Sequence, residues 1–162
     1  MKRRLSLLIL FMLIMSACAA PKPRSVQEED IREAVFRYQF THNESGLQQS
    51  ANFYCLSLGE VTAKANVDPS DELMRRFRGH QPPVEKTSQC AADISKGVTD
   101  RATSQRFGLI FRVTSIQWVS DTKVEALGGY YEGGLSASGN VYRVVKENDQ
   151  WIVKEDKMKW IS

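Results

Sequence analysis

The chain has 162 residues and carries 22 lysines and arginines against 19 aspartates and glutamates. Lys2, Arg3 and Arg4 precede an apolar run at the N-terminus, and without these three residues the basic and acidic residues are equal in number. Balanced charge gives no compositional argument for nucleic-acid binding, so we expect no nucleic-acid partner.

The first residues have the features of an export signal. The basic start MKRR is followed by apolar residues from Leu5 to Met15 and by small residues up to Cys18. This apolar run is about half of the roughly 20 residues that a membrane-spanning helix needs. The pattern also allows an ordinary signal peptide cut after Ala17 or Ala20, or a weak membrane anchor.

The four residues MSAC, which end at Cys18, resemble the lipobox of bacterial lipoproteins, with methionine where leucine is usual. The resemblance implies that residues 1–17 are a cleaved signal peptide and that Cys18 is acylated. It therefore implies a protein of the cell envelope that is attached to a membrane through its N-terminal lipid. Ala19 follows the cysteine, which for a Gram-negative host implies the outer membrane, facing the periplasm.

Residues 18–24 are expected to form a short tether, and residues 25–162 a single domain. Ser25 with the glutamate three positions later matches a capping box at the start of a helix. The apolar residues that follow recur at helical spacing, namely Ile31, Ala34, Val35 and Tyr38. The spacing predicts a helix over residues 26–42.

This predicted helix is apolar on two sides, because Phe36 and Phe40 lie nearly opposite the stripe that begins at Ile31. A second element of the fold could cover the two phenylalanines. Alternatively, they form a face for a protein partner or for a second copy of the chain.

Cys55 and Cys90 are the remaining cysteines. An exported protein folds in an oxidising compartment, where an even pair of cysteines predicts a disulfide. A metal site is the alternative, but two cysteines without a nearby pair of histidines make a poor one. We therefore predict a Cys55–Cys90 disulfide, no metal and no other cofactor.

The middle of the chain has weaker patterns. Residues 51–58, rich in aromatic side chains, predict a strand. Asp68 and Pro69 mark the start of a short helix that ends at about Phe77. Residues 79–105 show little periodicity and predict a long irregular segment.

From Arg106 onwards, alternating apolar and polar residues predict four strands. The strands are separated near residues 120–121, 133–138 and 148–149. Short connections of this kind predict an antiparallel meander.

Residues 128–140, GGYYEGGLSASGN, hold half of the ten glycines. The segment lacks the patterns of nucleotide-binding loops, and no histidine follows its near match to the GxSxG of hydrolases. We predict that Gly128 and Gly129 mark a bulge, a bend or a close approach inside a strand. The alternative is a ligand-binding segment with contacts at Tyr130 or Tyr131.

Four residues are candidates for contacts in a ligand pocket: Tyr38, His42, Trp118 and Tyr130. His42 is in register with the core stripe of the first helix, where it either ends the helix or acts as a catalyst. Trp118 lies on a predicted strand, where core packing is the default for tryptophan. No coherent catalytic set is present, so we assign no catalytic residue.

The order of a capped helix, a strand, a short helix and a curved antiparallel meander predicts an α+β fold, with the N-terminal helix packed on the sheet. Over residues 25–162, this order resembles the cystatin-like and nuclear transport factor 2-like (NTF2-like) folds. The resemblance implies a conical pocket between helix and sheet. It rests on the order of elements, since the Gln-x-Val-x-Gly loop of cystatins is absent from the sequence.

Two functions are compatible with these features. The first is a lipid-anchored envelope protein that binds a ligand or a protein partner, or takes part in assembly, without catalysis. The second is a small-molecule enzyme that uses His42 or Tyr130 in the same pocket. The scarcity of histidine favours the first.

Overall fold

The computed structural model describes residues 22–59 and 67–162. The expected signal peptide, Cys18 and residues 18–21 of the tether lie outside the described residues. Within residues 22–59 and 67–162, no helix is long and apolar enough to cross a membrane. The elements in chain order are α1 (Arg24–Thr41), β1 (Phe53–Ser57), α2 (Asp71–Arg75), β2 (Val84–Lys86), a 3₁₀-helix (Thr87–Gln89), β3 (Cys90–Asp93), β4 (Gly97–Asp100), β5 (Arg106–Ser120), β6 (Lys123–Gly133), β7 (Ser136–Glu147) and β8 (Gln150–Ile161).

The long helix α1 packs against a large curved sheet that does not close, so the predicted α+β class is confirmed. Strands β5, β6, β7 and β8 pair in chain order, each antiparallel to the next, as predicted. The expected curved antiparallel sheet is thus present from β5 to β8, but the whole sheet is mixed, because β1 lies parallel to β2 on one side and to β5 on the other. As an internal strand between parallel neighbours, β1 has all five of its residues buried.

The prediction of a long irregular segment over residues 79–105 is wrong. β2 extends the sheet beyond β1, while β3 and β4 form a hairpin that joins β5 through β4. Each of these strands has only three or four residues. Strands this short do not show a period-two pattern in the sequence.

The two α-helices begin at other residues than those predicted. α1 begins at Arg24, one position before the predicted cap Ser25, and Pro23 precedes it without a side-chain cap. α2 is capped by the hydroxyl of Ser70 rather than by Asp68. The existence of both helices is nevertheless confirmed, because apolar spacing identifies a helix more firmly than it identifies the first residue.

Phe36 and Phe40 lie in the hydrophobic core, which corrects the expectation of a partner face on this side of α1. They are 0% and 5% exposed. Phe77, just after α2, packs edge-on against both rings, with centroid distances of 6.3 and 5.7 Å. Phe40 also packs on Tyr54 of β1 and on Phe111 of β5. The second element that covers α1 is therefore α2 with the turn that follows it.

The predicted disulfide between Cys55 and Cys90 is confirmed. It joins β1 to the first residue of β3, which are 35 positions apart in the chain. The bridge lies on the face of the sheet opposite α1, in a small second core with Phe53, Val98 and Ile110. A cross-link that closes a loop of this length stabilises the fold by about 4 kcal/mol, through the lower entropy of the unfolded chain.

A pair of carboxyl groups flanks this disulfide. Glu85 pairs with Cys55 across β2 and β1, and Asp100 pairs with Cys90 across β4 and β3. Burial, and then a hydrogen bond and negative charge from Asp100, raise the pKa of Glu85 to about 7. The pKa of Asp100 is lowered, chiefly because its carboxylate accepts a hydrogen bond from the Thr103 amide. The proton that the two groups share therefore resides on Glu85.

We predict that the protein loses stability as the pH rises from about 4.5 to about 7. The unfolded chain releases the Glu85 proton near the ordinary pKa of 4.5, whereas the folded chain retains it up to about 7. The folded state therefore binds more protons in this window, and its free energy of unfolding should fall by roughly 1–3 kcal/mol, allowing for solvent screening. Urea denaturation at a series of pH values across the window measures the effect.

The variant Glu85→Gln tests the assignment, because it removes the titrating group and retains a hydrogen-bond donor towards Asp100. Its stability should depend much less on pH across the same window. Glu125→Gln, at an exposed position of β6, is the matched control and should keep the wild-type slope. Equal slopes in the wild type and in E85Q would contradict the prediction.

Candidate functional site

Gln39 fastens α1 to the middle of the sheet. Its side chain is 1% exposed. The amide nitrogen lies 3.0 Å from the carbonyl oxygen of Arg112 on β5, and 3.5 Å from that of Gly129 on β6. It also donates to the hydroxyl of Tyr142 on β7 at 3.2 Å. One side chain of the helix thus contacts three neighbouring strands.

Gly128 makes room for this contact, and Gly129 allows β6 and β7 to approach one another closely. A Cβ at Gly128 would collide with the carbonyl of Arg112 and approach the Gln39 amide nitrogen to 3.0 Å. A Cβ at Gly129, whose φ is 155°, would collide with the carbonyl of Ser138. The predicted close approach at these glycines is confirmed.

A pocket of about 480 Å³ opens between the C-terminal end of α1 and the sheet. Its floor is mostly buried and comes from α1 and the central strands, whereas its rim comes from the end of α1, the next loop and β8. The floor includes Gln39, Phe111, Tyr130, Ser138, Asn140 and Tyr142, and the rim includes Thr41, His42, Glu44 and Met158.

A row of hydrogen bonds crosses the floor towards β8. The Ser138 hydroxyl donates to Asn140 Oδ1 at 2.8 Å, and Asn140 Nδ2 donates to Asp156 Oδ1 at 2.7 Å. Burial raises the pKa of Asp156, while the hydrogen bond from Asn140 and the charge of His42 act against this rise. The negative charge of Glu44 adds to it. The Asp156 carboxylate is therefore only partly compensated by its neighbours.

The amide oxygen of Gln39 is an acceptor in the pocket floor. Among the described residues, this buried Oε1 has no hydrogen-bond partner. Its orientation is fixed, because the amide nitrogen faces two backbone carbonyls that can only accept. Leaving a buried polar group unpaired costs about 1–3 kcal/mol. A donor supplied by a molecule in the pocket would recover that cost.

Tyr38 and His42 form one wall of the pocket. Their rings are stacked, with centroids 4.2 Å apart and planes inclined by 7°. His42 Nδ1 lies 2.8 Å from the hydroxyl of Thr41 and 3.2 Å from the carbonyl of Tyr38. The other edge of Tyr38 meets the ring of Tyr142 at 6.0 Å. These contacts hold the imidazole against the last turn of the helix.

Three of the four residues expected at a pocket, namely Tyr38, His42 and Tyr130, line this one. Trp118 does not line it. Its ring packs edge-on against Trp151, at a centroid distance of 5.6 Å, beside the main core. The default reading of Trp118 as a packing residue is therefore the one that the structure supports.

Sequence reasoning missed Gln39, although a signal was present. Ile31 and Val35 precede it at steps of four residues, and both are fully buried. Gln39 is thus a polar residue on the most buried stripe of α1. Burying a polar side chain without a hydrogen bond costs free energy of folding, so a glutamine in that position predicts a specific hydrogen-bond partner.

The sequence pattern of β8 does not place Asp156 in the pocket. Counting alternate residues from the buried Trp151 would direct Glu155 towards the core side of β8. The pairing of β7 with β8 shifts by one residue. Val144 is paired with Val153, but Arg143 is paired with Glu155 rather than with residue 154. This irregularity turns Asp156 into the pocket instead. Its partner Asn140 lies at a second shift in the same pairing.

Comparison with known proteins identifies no relative of this chain, since no protein-family model, no curated protein and no solved structure matches it. Within residues 22–59 and 67–162, no group of three or more His, Cys, Asp or Glu side chains is arranged to hold a metal ion. The chemistry of the pocket is therefore argued from its own geometry and charge.

We predict that Gln39→Leu lowers the free energy of unfolding by about 1–3 kcal/mol, because it removes the donor to the Arg112 carbonyl and to the Tyr142 hydroxyl. Urea denaturation followed by circular dichroism measures the change. Gln27→Leu is the control on the same helix, since its amide bonds only to the carbonyl of Lys22 at the exposed helix start. Equal stability of the two variants would show that Gln39 does not fasten α1 to the sheet.

Proposed function

We propose that the protein is a lipid-anchored protein of the cell envelope that binds a small polar ligand in this pocket without transforming it. The observation that carries the binding role is the pocket floor. It combines the hydrogen-bonded row from Ser138 to Asp156 with the buried, unpaired amide oxygen of Gln39. A few fixed polar groups in a partly apolar cavity are typical of sites that orient a ligand.

The envelope location is supported by the sequence. The basic start, the short apolar run and the MSAC box that ends at Cys18 together favour lipid attachment. The Cys55–Cys90 disulfide is typical of a protein that folds in an oxidising compartment. For a Gram-negative host, the proposed location is the outer membrane, on its periplasmic side.

A cystatin-like or NTF2-like cone is the fold family that we propose. Its support is the packing of α1 on the curved β5–β8 meander, with a pocket between them. Both families are defined by architecture, so this assignment supports the existence of a pocket and leaves the ligand open.

The geometry of the polar residues favours binding over catalysis. The Ser138 hydroxyl donates to Asn140 and no base is among its hydrogen-bond partners, so it is not activated as a nucleophile. His42 stands at the rim with Nδ1 close to the oxygens of the last helical turn. An assembly role has less support, because Phe36 and Phe40 lie in the core.

Small-molecule catalysis in the same pocket is the second candidate function. It is favoured by one observation, namely that His42 and Asp156 line the same cavity and that burial raises the pKa of Asp156. A carboxyl group with a raised pKa beside an imidazole is a common arrangement for proton transfer. His42 or Tyr130 would then be the reacting group.

We predict that Cys18→Ala abolishes labelling by a fatty-acid analogue and leaves an unprocessed precursor. Metabolic labelling and a gel-mobility comparison in the native host measure both effects. Cys55→Ser with Cys90→Ser is the control, because it removes the other cysteines and should leave labelling intact. Labelling of the C18A chain at the wild-type level would contradict the lipid anchor.

We predict that a small molecule copurifies with the wild-type chain and is lost from Thr41→Trp, which fills the rim of the pocket. Native mass spectrometry of protein isolated from the envelope measures the occupancy. Thr122→Trp, in the exposed turn between β5 and β6, is the matched control and should retain the molecule. Equal occupancy in the two variants would show that this pocket is not the binding site.

The same preparation separates binding from catalysis. A bound molecule that is recovered unchanged after incubation supports the binding role. Its conversion by the wild type, with loss of turnover in His42→Ala or Tyr130→Phe at unchanged melting temperature, would establish the second candidate instead.

A further inference from the structure

We propose that the ligand of this pocket is a small organic cation that presents a primary ammonium group. The inference rests on the proposed binding function and specifies the chemical class of the ligand. It is carried by the charge of the lining residues and by the polar groups of the pocket floor.

The charge of the lining residues favours a cation. Glu44 and Asp156 contribute two carboxylates, whereas His42 contributes one imidazole. No lysine or arginine is among the described residues that line the pocket. The nearest guanidinium, that of Arg112, donates to the carbonyls of Tyr130 and Ser138 and lies 5.8 Å from the ring of Trp160. Arg112 does not line the cavity, although its positive charge acts on Tyr142 in the pocket floor.

The polar atoms of the floor favour a donor. Gln39 Oε1 is a buried acceptor with no partner in the described part of the chain. Asp156 accepts from Asn140 through Oδ1, which leaves Oδ2 for a ligand. An ammonium group carries three donors and no acceptor, so it matches a pocket floor whose unpaired buried atom is an acceptor. A carboxylate or a phosphate would leave the Gln39 oxygen unpaired and would be repelled by Asp156.

The remaining wall is aromatic. Tyr38 and Tyr142 stand edge-on to one another, 6.0 Å between centroids, and Asp156 acts electrostatically on both. Aromatic faces attract cations and accommodate an apolar body attached to the charge. Burial raises the pKa of Asp156 because it takes water away from the carboxylate. A bound cation would stabilise the same carboxylate in place of that water.

The test compares three probes of similar shape on the full-length chain near neutral pH: benzylamine, benzyl alcohol and benzoate. Titrations followed by ¹⁵N–¹H spectra report on the side-chain amide groups of Gln39 and Asn140. We expect benzylamine to shift these signals with an affinity at least about tenfold above that of benzyl alcohol, and benzoate to cause no shift.

The variant Asp156→Asn keeps the shape of the residue and an oxygen that accepts from Asn140. It should weaken benzylamine binding by about tenfold and leave benzyl alcohol binding unchanged. Glu155→Gln is the matched control, since this neighbour pairs with Arg143 on the exposed face of β8, and it should bind both probes like the wild type. Melting temperatures confirm that both variants are folded.

The outcomes separate this inference from the function on which it rests. If benzyl alcohol or benzoate binds at the Gln39 and Asn140 signals as tightly as benzylamine does, the ammonium class is wrong and the binding pocket stands. If no probe shifts these signals but a molecule is lost from Thr41→Trp, the ammonium class is again wrong. If no probe binds and no molecule copurifies, both proposals fail.

Discussion

The hydrogen bonds between the Gln39 amide and the backbone of the sheet set the position of α1. They can form because Gly128 brings no side chain between the helix and the strands. Once α1 is held at this distance, Phe40 packs on Phe111 of β5, and Phe77 after α2 covers both Phe36 and Phe40. The same side chain lines the pocket, so the anchoring of the helix and the lining of the site share one residue.

The sheet separates two environments. On the α1 side lie the main core and the pocket, where the polar groups are carboxylates, amides and tyrosines. On the other side lie the disulfide, the Glu85–Asp100 pair and the short β3–β4 hairpin. β1 contributes to both, because Tyr54 and Leu56 face the main core while Phe53 and Cys55 face the second one.

Local patterns predicted the elements that depend on local contacts. Helix α1, the four strands of the meander and the close approach at Gly129 followed from spacing and turn residues. Of the long-range features, only the Cys55–Cys90 disulfide was predicted, because cysteines can be paired by counting; strand pairing and the packing of distant elements were not, because no neighbouring residue encodes them. The parallel pairing of β1 with β5 is one example, and the covering of Phe36 by α2 is another. The candidate site was found in part, through Tyr38, His42 and Tyr130. Asp156 was not predicted, because a one-residue shift in the pairing of β8 reverses the side of the sheet to which the following side chains point.

The pocket lies at the C-terminal end of α1, whereas the tether joins its N-terminal end. A helix of 18 residues is about 27 Å long. The end of α1 that the tether joins and the opening of the pocket are therefore separated by about the length of this helix. The proposed lipid anchor and the opening of the pocket thus lie at opposite ends of the same helix, so a ligand can enter without passing the point where the chain is attached.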